Sequence, residues 1–141
     1  MRPGVNIVLA VVAGFVSGSL VNIGIVNAGP SLIPLPEGAD VSTMEGLRSS
    51  MQLFTPVNFV APFLAHALGT LTGSFVAAKV ATSHRMKCAM GVSACFLLGG
   101  ISAVATLGGP VWFAAADLLL AYLPMGYLGA RLAGATKPPS A

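Results

Sequence analysis

Two ionisable side chains, His66 and Asp117, stand inside long apolar stretches of this chain. A charge in hydrocarbon costs on the order of 3 kcal/mol, so each calls for a partner, water or a function. An imidazole and a carboxylate in one layer could hold and pass a proton, since histidine as a residue type changes charge near neutral pH. They could also bind a small cation if neutral oxygens help. Asn22 is a candidate donor of such an oxygen, as are Thr70 and Ser74, which follow His66 at i+4 and i+8 and share its helix face. A plainer role is open to the same residues, because a His–Asp hydrogen bond that only ties helices together contributes about 0.6 kcal/mol in a bilayer. Asp117 alone could also reach back to the membrane surface. Catalysis is not expected: a hydrolase or transferase needs a nucleophile, a base and an oxyanion or metal site held together. The chain has no Gly-rich phosphate loop, HExxH or GxSxG element. Neither cofactor nor metal is expected. His84 shares a short turn with Arg85 and Lys87, where solvation or headgroup contact is the natural role.

The elements that must position these residues follow from composition. Of 141 residues, 55% are hydrophobic and 8% charged, whereas a soluble domain has roughly a quarter of its residues charged. The net charge of +3 comes from seven basic and four acidic side chains, a shortage of acids rather than a basic face, which excludes nucleic acid as a partner. The lipid bilayer is the expected surrounding. Spanning about 30 Å of hydrocarbon takes about 20 helical residues, and four stretches suffice: 5–27, 59–80, 88–107 and 111–132. The first exceeds the 7–15 apolar residues of a signal peptide and is read as a retained helix. Cys88 and Cys95 lie seven apart on one helix, about 10 Å along its axis, so no disulfide joins them.

Lys and Arg in short loops mark the cytoplasmic side. Arg2, Lys79, Arg85, Lys87, Arg131 and Lys137 agree on cytoplasmic termini, with only Arg48 opposed; Glu37, Asp40 and Glu45 fall in the outer loop, 28–58. On that topology His66 lies about 10 Å and Asp117 about 9 Å from the outer helix ends, with Asn22 at a similar depth. The outer loop carries Pro30, Pro34, Pro36 and Pro56, around a short helix that Ser42-Thr43-Met44-Glu45 would open as a capping box. Met44, Leu47, Met51 and Phe54 then recur at helical spacing. The segment reads as an interfacial helix on the headgroups, or as a lid over the outer mouth. Gly108-Gly109-Pro110 makes a tight outer turn, and the tail from 136 to 141 reads as disordered.

Helices in lipid associate through close approach at small residues. Ala61, Ala65, Gly69, Gly73, Ala77 and Ala81 recur every four residues along the second helix, and Gly14 and Gly18 repeat the spacing on the first, so these two are expected to cross. The third carries Gly91, Cys95, Gly99 and Ala103 at the same spacing; the fourth supplies Gly126 and Ala130. Pro124 frees the carbonyl of Leu120 and predicts a bend beside Tyr122 and Tyr127.

Three segments carry a resemblance: Pro36-Glu37-Gly38-Ala39-Asp40-Val41-Ser42-Thr43-Met44-Glu45-Gly46-Leu47, Phe63-Leu64-Ala65-His66-Ala67-Leu68-Gly69-Thr70 and Ala121-Tyr122-Leu123-Pro124-Met125-Gly126-Tyr127. They look like a group of small four-span bacterial membrane proteins to which no activity attaches. The resemblance implies a bacterial inner membrane and the same architecture, and it transfers no chemistry. The expectation is an all-α, integral membrane four-helix bundle acting as an oligomeric channel or transporter for a small cation or solute. The other function class is a non-catalytic subunit whose small-residue faces dock in a larger membrane complex.

Overall fold

A long apolar run must satisfy its backbone N–H and C=O groups within itself, and only a helix does so over a single segment. The computed structural model, which describes residues 3–136, is all-helical there: α1 (Pro3–Leu32), α2 (Met44–Ser50), α3 (Val60–Val80), α4 (Arg85–Leu107), α5 (Val111–Leu120) and α6 (Leu123–Leu132). Two 3₁₀ turns, Met51–Leu53 and Pro56–Phe59, join α2 to α3. Four helical stretches are long and apolar enough to cross a membrane, with α5 and α6 together forming the fourth. Beyond Thr136, the tail lies outside the described residues.

The boundaries depart from expectation in three places. α1 continues past 27 and through Pro30 to Leu32. Its last turn packs on α3, where a Cβ on Gly29 would stand 2.8 Å from that of Ala61. α4 begins at Arg85 rather than 88. The fourth stretch is two helices, with Ala121 and Tyr122 between them and Pro124 in the first turn of α6. Proline's missing N–H costs nothing in a first turn, where no intrahelical acceptor exists.

The α1–α3 crossing forms where the glycines predict it. A Cβ on Gly14 would lie 2.5 Å from the carbonyl oxygen of Gly73 and 2.7 Å from Cβ of Ala77; one on Gly18 would lie 2.5 Å from the carbonyl oxygen of Gly69. Ala65 and Ala77 are fully buried on the same face. Gly126 meets Ser93 and Gly129 meets the α3 backbone, so α6 docks just as closely. The α4 stripe is the exception. Gly91 and Gly99 would have open space around an added Cβ, and Cys95 is exposed, so Gly99 packs against no other helix of this chain. The buried face of α4 instead carries Ala89, Val92, Ser93 and Gly100.

The end of the bundle away from α2 is fastened by polar groups. Asn6 donates to the Val80 carbonyl (3.3 Å) and accepts from the amide (2.7 Å) and hydroxyl (2.8 Å) of Thr82. Arg85 donates through Nε to the carbonyl of Ala78 (2.7 Å) and through its terminal nitrogens to those of Ala133 (2.6 Å) and Gly134 (3.3 Å). One guanidinium thus closes the carboxyl ends of α3 and α6, where free carbonyls and the helix dipoles favour a cation. His84 precedes α4 in the left-handed region, exposed, at φ 53°.

At the opposite end the cap differs by one residue from the expected box. Thr43, not Ser42, accepts from the amide of Gly46 (2.9 Å). Ser42 turns back to Asp40, giving its carboxylate both the backbone N–H (2.8 Å) and the hydroxyl (2.6 Å). Those two donors hold the Asp40 carboxyl below the usual carboxylate range. Ser50 hydrogen-bonds the Asp40 backbone at both amide (2.8 Å) and carbonyl (3.2 Å), which ties α2 to the strand of chain before it.

Candidate functional site

α3 carries His66 on the face beside its small-residue stripe, and α5 carries Asp117 one and a half turns in from Val111; the bundle brings the two side chains together. Nδ1 of His66 lies 2.8 Å from Oδ1 and 2.9 Å from Oδ2 of Asp117. A carboxylate can only accept, which assigns the hydrogen to Nδ1 and leaves Nε2 as the ring's free nitrogen. The aspartate is 2% exposed and the histidine 24%, so the carboxylate is sealed and the imidazole is its link to the outside. Asp117 therefore does not reach for the surface.

Tyr122 completes the group. Its hydroxyl donates to Oδ2 of Asp117 at 3.0 Å, and its ring stacks on the His66 ring with centroids 5.7 Å apart. It is 2% exposed. The helix break puts it there, and Ser93 holds the break by donating its hydroxyl to the Tyr122 carbonyl (2.9 Å). Gly100 on α4 makes the room, because any Cβ there would run into the phenol. Regular helical phase sets Tyr122 apart from Asp117, so only Pro124 pointed, indirectly, at this contact. Nothing in the α4 spacing singled out Gly100 over Gly99.

Two cavities meet the pair. The larger, about 340 Å³, is floored by His66 and Asp117 and covered by Val41, Leu47, Met51 and Phe54. Three of the four apolar residues expected on the short helix segment thus face this cavity, while Met44 is 61% exposed. The segment covers the bundle mouth with these apolar side chains. Phe59 and Phe113 add aromatic walls, their centroids 4.6 Å apart, with Phe54 edge-on to Phe59 at 5.8 Å. The second cavity, about 260 Å³, opens between α1 and α4 and is lined by Ser19, Asn22, Phe96, Gly99, His66 and Tyr122, among others. His66, Gly100 and Ala103 border both.

Of the sequence-selected site residues, His66, Asp117 and Asn22 are gathered and Thr70 and Ser74 are not. Ser74 donates to the carbonyl of Ala89 at 3.0 Å, an α3–α4 tie. Thr70 is fully buried, lines neither cavity, and its hydroxyl has no partner among the described residues. Both lie deeper along α3, where α6 closes over the face that His66 shows to the cavities. No group of three or more His, Cys, Asp or Glu that could hold a metal occurs among the described residues. No protein family, curated protein or solved structure matches the chain.

The arrangement does two things chemically. It places the His66 imidazole, backed by a buried carboxylate, at the edge of a mostly apolar space of the size that small-molecule sites have. It also seats that imidazole within hydrogen-bond distance of a carboxylate that is 2% exposed.

Proposed function

We propose that this chain is a small multi-pass membrane transport protein, a carrier or channel for a small solute or cation, with the lid cavity as its solute site. The observation that carries the reading is the hydrogen-bonded His66–Asp117–Tyr122 group, with His66 and Asp117 lining a mostly apolar cavity and His66 and Tyr122 lining a second one. Intramembrane ionisable groups facing a cavity mark solute and proton pathways. The distribution of Lys and Arg supports both termini on the cytoplasmic side, and the resemblance implies a bacterial inner membrane. The lid and its acids, Glu37, Asp40 and Glu45, then face outward, where they attract cations.

Proteoliposomes test this directly: a solute panel is supplied outside under an imposed proton gradient, with a pH-sensitive dye inside. Solute-dependent proton movement that His66→Gln and Asp117→Asn abolish, while circular dichroism stays unchanged, is the expected result. No flux under any gradient removes the proposal.

One observation favours a second reading. The face of α4 with Gly91, Cys95 and Gly99 has open space against it, which suits a docked helix from another copy or from a larger complex. Crosslinking through Cys95 to a second copy supports an oligomeric carrier. A different subunit that co-purifies in mild detergent, with no flux at all, supports an accessory role instead.

A further inference from the structure

The lid cavity contains an imbalance of charge. Asp117 is sealed from solvent, and no lysine, arginine or second acid lines either cavity. No element that faces His66 brings a compensating charge to it. α5 gives Asp117 and the helix break gives the Tyr122 hydroxyl; α1 gives the neutral Ser19 and Asn22. α4 gives Phe96, Gly99, Gly100 and Ala103, and the lid gives only apolar side chains. Asp40, Glu45 and Arg48 of the lid segment are exposed and line neither cavity. A buried carboxyl either keeps its own proton or, once ionised, needs a positive charge near it.

An ionised Asp117 has two sources for that charge. One is a proton on His66, held by Asp117 through Nδ1. The other is a cation in the lid cavity against the deprotonated imidazole. The walls select what kind of cation. Phe54, Phe59 and Phe113 face this space, and aromatic faces attract ammonium groups. Most of the remaining lining is aliphatic; Asn58 Oδ1 already accepts from Thr55, which leaves the Asn27 amide as the other side-chain oxygen, too few to replace the water of a strongly hydrated metal ion.

From this the geometry points to a monovalent organic cation with an apolar body, an aromatic or alkyl ammonium, as the occupant of the lid cavity, bound in exchange for the proton of His66. The balance is one for one: the cation enters, the imidazolium gives its proton to solvent, and the site's net charge is unchanged. The inference rests on the proposed transport reading for its use, since such an exchange in opposite directions is antiport.

The test uses the full chain in mild detergent with benzyltrimethylammonium as probe and N,N-dimethylbenzamide as a neutral molecule of matching size. Calorimetry in two buffers of different ionisation enthalpy counts the protons. The expected result is about one proton released per cation, with affinity that rises with pH. The neutral control shows neither effect. His66→Gln binds the cation with no proton release and no pH dependence, a signature that a merely structural histidine would not produce. Asp117→Asn weakens the cation by at least about tenfold and leaves the benzamide unchanged. Equal affinity of wild-type protein for the two molecules overturns the inference, as does cation binding without proton release, and neither outcome depends on a variant folding. Cation binding with proton release but no flux in proteoliposomes upholds the inference and removes the transport reading. Flux of a neutral solute without cation binding does the reverse.

Discussion

The phenol of Tyr122 reaches the carboxylate of Asp117 at 3.0 Å, although the two residues are five apart in sequence. In an unbroken helix such a pair points about 140° apart. The turn at Ala121 and Tyr122, where Tyr122 takes φ −112° and ψ −82°, swings the ring back over the end of α5. The carboxylate thereby gains a second donor that α5 alone could not bring to it.

Tyr122→Phe keeps the ring and deletes that donor. A hydrogen bond to a buried charge contributes about 1–2 kcal/mol, the lower end in a bilayer-like setting. We expect a loss of that size in detergent or urea unfolding monitored by circular dichroism. Gly100→Ala should act in the same direction by displacing the phenol, since the new methyl occupies its place.

Glycines that the sequence makes look alike should behave differently. Gly18→Ala puts Cβ 2.5 Å from the carbonyl oxygen of Gly69 and against the Phe96 ring, so α1 must back away from α3. Overpacking of this kind costs about 1–3 kcal/mol. Gly91→Ala meets nothing, and alanine's better helix propensity, worth up to about 1 kcal/mol, should leave stability unchanged or raised. Parallel unfolding midpoints for the two variants check this.

Arg85 joins three carbonyls at the ends of α3 and α6. Arg85→Ala strips all three of their charged partner, and we expect about 2 kcal/mol of destabilisation. Hydrogen exchange should localise the change to amides near Ala81 and Ala133. Arg85→Lys retains the charge but loses the planar fork, so it should recover only part of the loss.

Asp40 predicts a pH response in the lid. Its carboxyl is held below the ordinary value of 3.8 by the Ser42 hydroxyl and amide. A depressed folded-state value means that the ordering is complete above the ordinary range and is lost as pH falls through the lowered one. The Ser42 amide signal in NMR should therefore hold steady from neutral pH to about pH 5 and shift only in stronger acid. Asp40→Asn should give that amide a flat titration.

Much of this architecture was readable in advance. The four apolar stretches were readable as helices long enough to cross a membrane, since an apolar setting offers a bare peptide group no other partner. The α1–α3 crossing was readable because Gly14, Gly18, Gly69 and Gly73 repeat at a period set by each helix on its own. His66 and Asp117 stood out by type, and a shared depth was enough to suggest their pairing.

What the residues by themselves determined was therefore local: helicity, number of stretches, the smooth face of α3, and two ionisable groups at one level. Tertiary structure decided everything that depends on azimuth. It turned α4 so that Gly100 rather than Gly99 faces the bundle, about 100° around the axis. It also broke the fourth stretch to bring in Tyr122, pointed Thr70 and Ser74 away from the cavities, and laid the lid over the mouth. The physical reason is that helical periodicity fixes angles within one helix only. How a helix is rotated against its neighbours comes from the summed contacts of residues far apart in the chain, and no window of sequence contains that sum.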